Sequence, residues 1–158
     1  MKRIRDNRRR RGNTFTETAL VFVPTFAMMF GVVDFSVALF MRSTFQHAVR
    51  EGVRYAVTYQ VKPGMGHDAS IRSVVQEHSM GFLKGDDNAE KVKIRYFTPD
   101  TFEETASNTP GNIVEVSVEN YAWGWMMPLM RTATPLNMTA RATDVMEGLP
   151  GGSAPPAR

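Results

Sequence analysis

The apolar stretch Ala19–Met41 constrains this chain more than any other feature. It is 23 residues long, and its one charged residue is Asp34. As a helix it extends roughly 34 Å at about 1.5 Å per residue. The hydrocarbon core of a bilayer is about 30 Å thick, so the segment spans a membrane with modest tilt. A basic run precedes it. Lys2, Arg3, Arg5 and Arg8–Arg11 place seven positive charges before Gly12, against Asp6 alone. Only Arg42, Arg50, Arg54 and Lys62 follow within about twenty residues of its far end. The positive-inside bias predicts a cytoplasmic N-terminus and an outer C-terminal domain. An arginine run can also contact nucleic acid phosphates. Retention beside a span explains this one fully, so no nucleic acid partner is read from it.

The charge distribution supports that division. The net charge of +3 is concentrated in the basic tail, and the remainder is slightly acidic. Beyond Met41 about 117 residues remain, enough for one small core. The absence of cysteine removes a disulfide framework and thiol chemistry. There is no Gly-x-Ser-x-Gly elbow, phosphate loop or His-Glu-x-x-His. His47, His67 and His78 are scattered, and nothing in the sequence completes a cation site around Glu103 and Glu104. The chain therefore reads as a non-enzyme with no catalytic residue, no metal and no cofactor.

At the mouth of the span, Gly12 is followed by Asn13, Thr14, Phe15, Thr16 and Glu17. A basic leader, a glycine, four residues and a glutamate entering an apolar helix resemble a type IV prepilin signal. The resemblance implies cleavage after Gly12 by a membrane aspartyl peptidase, with the helix kept as an assembly element. Glycine lets a protease take the backbone in extended form. Cleavage would leave an ammonium on Asn13, with a pKa near 8. A carboxylate at the hydrocarbon edge costs a few kcal/mol unless paired. A neighbouring subunit's N-terminus would pair Glu17 and fix the register between helices. Thr18 stands where type IV pilins often carry an aromatic residue. Two other fates are open to this stretch: an ordinary secretory signal cut after Ser36-Val37-Ala38, and an unprocessed signal anchor carrying a ligand- or partner-binding domain.

Asp34 lies seventeen residues beyond Glu17, roughly 25 Å along the axis. It reads as a second assembly candidate near the outer face, with Arg42 as its expected partner. Pro24 removes one helical hydrogen bond and is expected to loosen the helix. Past the span, Phe45, Val49 and Val53 recur at helical spacing, with Arg50, Glu51 and Arg54 on other faces. The span thus continues as one long helix, apolar below and amphipathic above.

Gly31-Val32-Val33-Asp34-Phe35, followed by Ala48-Val49-Arg50-Glu51-Gly52-Val53-Arg54-Tyr55-Ala56, is similar to the TadE-like family, pseudopilins of the tight-adherence (Tad, or Flp) pilus system. The resemblance covers Arg8–Tyr59. It marks Arg50, Glu51, Gly52, Arg54 and Tyr55 as the family-motif helix. It implies a structural role in pilus biogenesis at a bacterial inner membrane. The implied partners are a prepilin peptidase, other Tad pilins, inner-membrane assembly proteins and the lipid bilayer.

The remainder reads as a small α+β domain. Lys62–His67 is a Pro/Gly break. Asp68 is expected to cap a helix running to about Leu83. Alternation predicts three strands, Lys91–Phe97, Ile113–Tyr121 and Leu136–Met146, and the expected arrangement is one antiparallel sheet. Between the last two lies an apolar loop with Trp123, Trp125, Met126 and Met127, a candidate partner surface. The expected organisation is a leader over 1–12, an assembly helix over 13–60, an outer domain over 61–147 and a disordered tail over 148–158.

Overall fold

The computed structural model describes residues 6–127 and 134–158. The first five residues of the basic leader and positions 128–133 of the Trp/Met loop lie outside the described residues. The chain divides into two compact units. One combines Met1–Ala38 with Gly124–Pro135, and the other combines Leu39–Trp123 with Leu136–Arg158.

Helix α1 runs from Asp6 to Val57 as one element of 52 residues. It begins inside the expected leader, because a run of arginines is a good helix former. Pro24 stands within it without ending it. Its first unit is an apolar rod, with Phe15 78%, Leu20 76% and Met28 74% exposed. Phe22, Phe26 and Phe30 follow one another along one face as tilted ring pairs, with centroids 4.4 and 6.3 Å apart. The rod's hydroxyls turn inward: Thr18 donates to the Thr14 carbonyl, Thr25 to Val21 and Ser36 to Val32. Polar side chains satisfied by their own helix suit an apolar solvent. By length and composition, α1 is a candidate membrane span.

In the second unit one face of the same helix is buried. Met41, Phe45, Ala48, Val49 and Ala56 are fully enclosed. Among the described residues the other elements are α2 (His67–His78), α3 (Asp86–Ala89), β1 (Val92–Phe97), β2 (Glu104–Thr105), β3 (Ile113–Trp123), β4 (Leu136–Val145) and a 3-10 turn over Pro150–Gly152. The strands form one antiparallel sheet in the order β2-β1-β3-β4. The α+β class matches the sequence reading, but the sheet has four strands where three were expected. Glu104–Thr105 is too short to show an alternation, and it pairs with Tyr96 and Phe97 only once the chain turns back.

The sheet's inner face is set by register. Val92, Ile94 and Tyr96 stand opposite Val118, Val116 and Val114, and Val116 and Val118 stand opposite Ala142 and Ala140. A bulge between Val118 and Tyr121 places Asn120 at φ 55°. An extra residue reverses the inward parity. Tyr121 therefore pairs with Met138 and meets Phe45 edge-on at 4.8 Å. The outer face carries charge. Arg95 bonds Glu119 at 2.7 Å and Glu115 at 3.2 Å. These carboxylates hold the Arg95 guanidinium well above its ordinary pKa, and Arg95 in turn lowers that of Glu119.

Candidate functional site

The residues singled out by the sequence fall into separate places. Gly12 and Asn13 lie within α1, so the expected scissile bond is helical here rather than extended. Glycine in a helix interior is less stable than alanine by about 1 kcal/mol, which makes this the weakest point of the leader helix. Glu17 follows one turn later on the exposed rod.

Asp34 and the Trp/Met loop come together within the first unit. Asp34 is 1% exposed. Its Oδ1 accepts the Met126 N–H at 2.9 Å and its Oδ2 accepts the Met127 N–H at 2.8 Å. The Arg42 pairing expected from the sequence is thus replaced by two backbone donors. A buried carboxylate needs such partners, and hydrogen bonds to a charged acceptor are about twice as strong as neutral ones. The loop has its own brace, since Trp125 Nε1 donates to the Thr134 carbonyl at 3.1 Å. Met126 remains 58% exposed. Trp123 is the last residue of β3, and its Nε1 is buried without a partner among the described residues.

The motif helix belongs to the second unit and serves packing and surface at once. Gly52 lies where α1 crosses the core. A Cβ built there would stand 2.5 Å from Val75 Cγ2 and 3.4 Å from Val116 Cγ1. Only glycine permits that approach of α1 to α2 and β3. Glu51 and Tyr55 are half-buried beside it, while Arg50 and Arg54 are exposed one turn apart. These two arginines line an open groove with Thr58, Thr143, Asp144 and Glu147.

The sequence reading missed a cradle around the C-terminal tail. The Asp68 carboxylate, expected to cap α2, receives Arg158 Nε at 2.9 Å and Nη2 at 2.8 Å. Gly66 is the N-cap instead. Arg158 Nη1 also donates to the Ala106 carbonyl, and the guanidinium lies 4.6 Å over the Tyr96 ring. Asn108 Nδ2 donates to the Pro156 carbonyl, and the His67 N–H donates to the Ala157 carbonyl. A Cβ on Gly66 would stand 2.8 Å from the Arg158 carbonyl. The tail expected to be disordered thus ends in specific contacts. Tyr96 Oη donates to Asp68 at 2.9 Å and stands 3.3 Å from His67 Nδ1. Burial pushes the His67 pKa down, opposed in part by Asp68. Burial and the Asp68 charge push Tyr96 far up. Pro155-Pro156 and a lone arginine carry no signal from which this cradle could have been read.

An exposed apolar helix long enough to cross a membrane, joined to a small α+β domain, defines a candidate single-pass membrane protein. More particularly, residues 12–54 match the family described as TadE-like protein, the family that the motifs around Asp34 and Gly52 resemble. No match was found among curated proteins or solved structures.

Proposed function

We propose that this chain is a pseudopilin-like subunit acting structurally in biogenesis of a Tad-type pilus. The observation that carries the reading is the family match, which starts at Gly12 and takes in Glu17, Asp34 and the motif helix as far as Arg54. The exposed apolar rod of α1 supports it, since a helix awaiting lateral partners or lipid presents such a surface. In this reading a prepilin peptidase removes residues 1–12, and Glu17 pairs with the new N-terminus of a neighbouring subunit. The N-terminus is cytoplasmic, the α+β domain is periplasmic, and the chain catalyses no reaction of its own. Its partners are other Tad pilins and inner-membrane assembly proteins.

The decisive experiment is the N-terminal residue and intact mass of the protein purified from its native membrane. Asn13 is the result expected. Met1 would overturn processing and favour an uncut anchor with a partner-binding domain. Leu39 would overturn the assembly helix altogether.

A further inference from the structure

From the Asp34 contact we infer that the Trp125–Met127 loop is a second membrane element, seated in the lipid of the outer leaflet beside α1. The inference rests on the reading of α1 as a span. Counted from Ala19, Asp34 stands about 22 Å along the helix, roughly 8 Å short of the far edge of a 30 Å hydrocarbon core. The apolar run continues past it through Phe35 and Val37 to Met41. A carboxylate at that depth requires a partner. The structure supplies it from the backbone, through the N–H groups of Met126 and Met127. Whatever holds those two donors against Asp34 also brings the loop to Asp34's depth.

The loop's composition suits that position. Non-helical backbone at membrane depth is tolerated where its polar groups are met by protein. Here two N–H groups meet Asp34, and the Thr134 carbonyl meets the Trp125 indole. Of Trp125, Met126 and Met127, the most exposed side chain is the apolar Met126, at 58%. Tryptophan favours the interfacial zone. The flanking rod residues Val32, Val33 and Phe35 are 67%, 44% and 63% exposed, so the loop adjoins a surface already suited to lipid. The chemistry that fits is the upper acyl region of a phospholipid bilayer.

Trp123→Phe leaves Trp125 as the sole tryptophan and removes an indole N–H that has no partner among the described residues. The full-length variant is reconstituted into phosphatidylcholine/phosphatidylglycerol vesicles, some containing phosphatidylcholine brominated high on the acyl chain. Trp125 emission is expected to fall at least about twofold with shallow bromines, with little quenching by acrylamide. Adding Asp34→Ala is expected to reverse that preference while the protein still floats with vesicles. Asp34→Asn, which retains one acceptor oxygen, should fall between. Strong acrylamide quenching in floated protein would place the loop in water and overturn the inference, leaving the pilus reading intact. Shielding from both quenchers would show that protein, not lipid, covers the loop and overturn it equally. An unchanged bromolipid signal in Asp34→Ala would remove Asp34 as the tether. Failure of the protein to float would overturn the span, and the inference with it.

Discussion

Asp34 Oδ2 accepts the Met127 N–H at 2.8 Å across 93 positions of sequence. A buried acid in an apolar helix and a Trp/Met-rich loop are two unusual features taken singly. Their contact makes each account for the other, because the acid gains donors and the loop gains a fixed place.

The first prediction concerns that contact. Each hydrogen bond to a charged acceptor is worth about 1.5–3 kcal/mol. Asp34→Ala should therefore raise amide exchange at Met126 and Met127 by a factor on the order of ten or more, since about 1.4 kcal/mol is tenfold. Exchange read by mass spectrometry in vesicles is the check. Unchanged protection at both amides would mean that something other than Asp34 holds them.

Gly52 gives the second. Alanine gains about 1 kcal/mol of helix propensity. Its methyl, however, would meet Val75 Cγ2 at 2.5 Å in a closed core. Overpacking of this kind costs about 1–3 kcal/mol. Gly52→Ala is expected to lower the midpoint of thermal unfolding modestly, and Gly52→Leu severely. Gly31→Ala, with open space at its Cβ, should not lower it. A Gly52→Leu protein as stable as the parent would refute the close-approach account.

The third follows from His67. Its folded-state pKa is lowered by burial from the ordinary value near 6.5. The unfolded chain therefore binds the proton more readily, and stability rises with pH wherever that difference holds. The contribution is fully present above about pH 6.5. It is lost as pH falls from there through the lower folded value. Thermal midpoints across this range should decline on acidification, and His67→Gln should flatten that part of the curve. A parent curve already flat there would count against it.

Arg158 supplies the fourth. Its ion pair with Asp68 is partly solvated, with side chains 33% and 20% exposed, so its stabilising effect is small, about 1 kcal/mol or less. The larger effect is local. Arg158→Ala also loses the Ala106 carbonyl and the Tyr96 ring, so the tail should become accessible to carboxypeptidase. The thermal midpoint should hardly move. A tail equally resistant in Arg158→Ala would show that the contacts of Pro156 and Ala157 suffice.

Glu17 is the fifth. Under the pilus reading, Glu17→Ala should block filament assembly while cleavage after Gly12 continues. Cell-surface pili at normal abundance in the variant would exclude a register role for this carboxylate.

How much was legible in advance differs by element. The long helix and its amphipathic continuation were readable because 3.6-residue periodicity and a charge-free run are properties of the chain itself. Strands β1, β3 and β4 were readable because alternation records which face is buried. Strand β2 was not, since two residues carry no period. The bulge at Asn120 was hidden as well, because an extra residue shows only against the partner strand.

The sequence by itself determined the candidate span, the α+β class and the TadE-like motifs, since each is written in local spacing and composition. Only the tertiary structure decided what Asp34, Gly52 and Arg158 are for. Asp34 meets donors 92 and 93 residues away, Gly52 makes room for Val75 and Val116, and Arg158 closes on Asp68 across 90 residues. Partners so distant leave no period in the chain, because a carboxylate, a missing side chain or a guanidinium acquires its role only from what the fold brings against it.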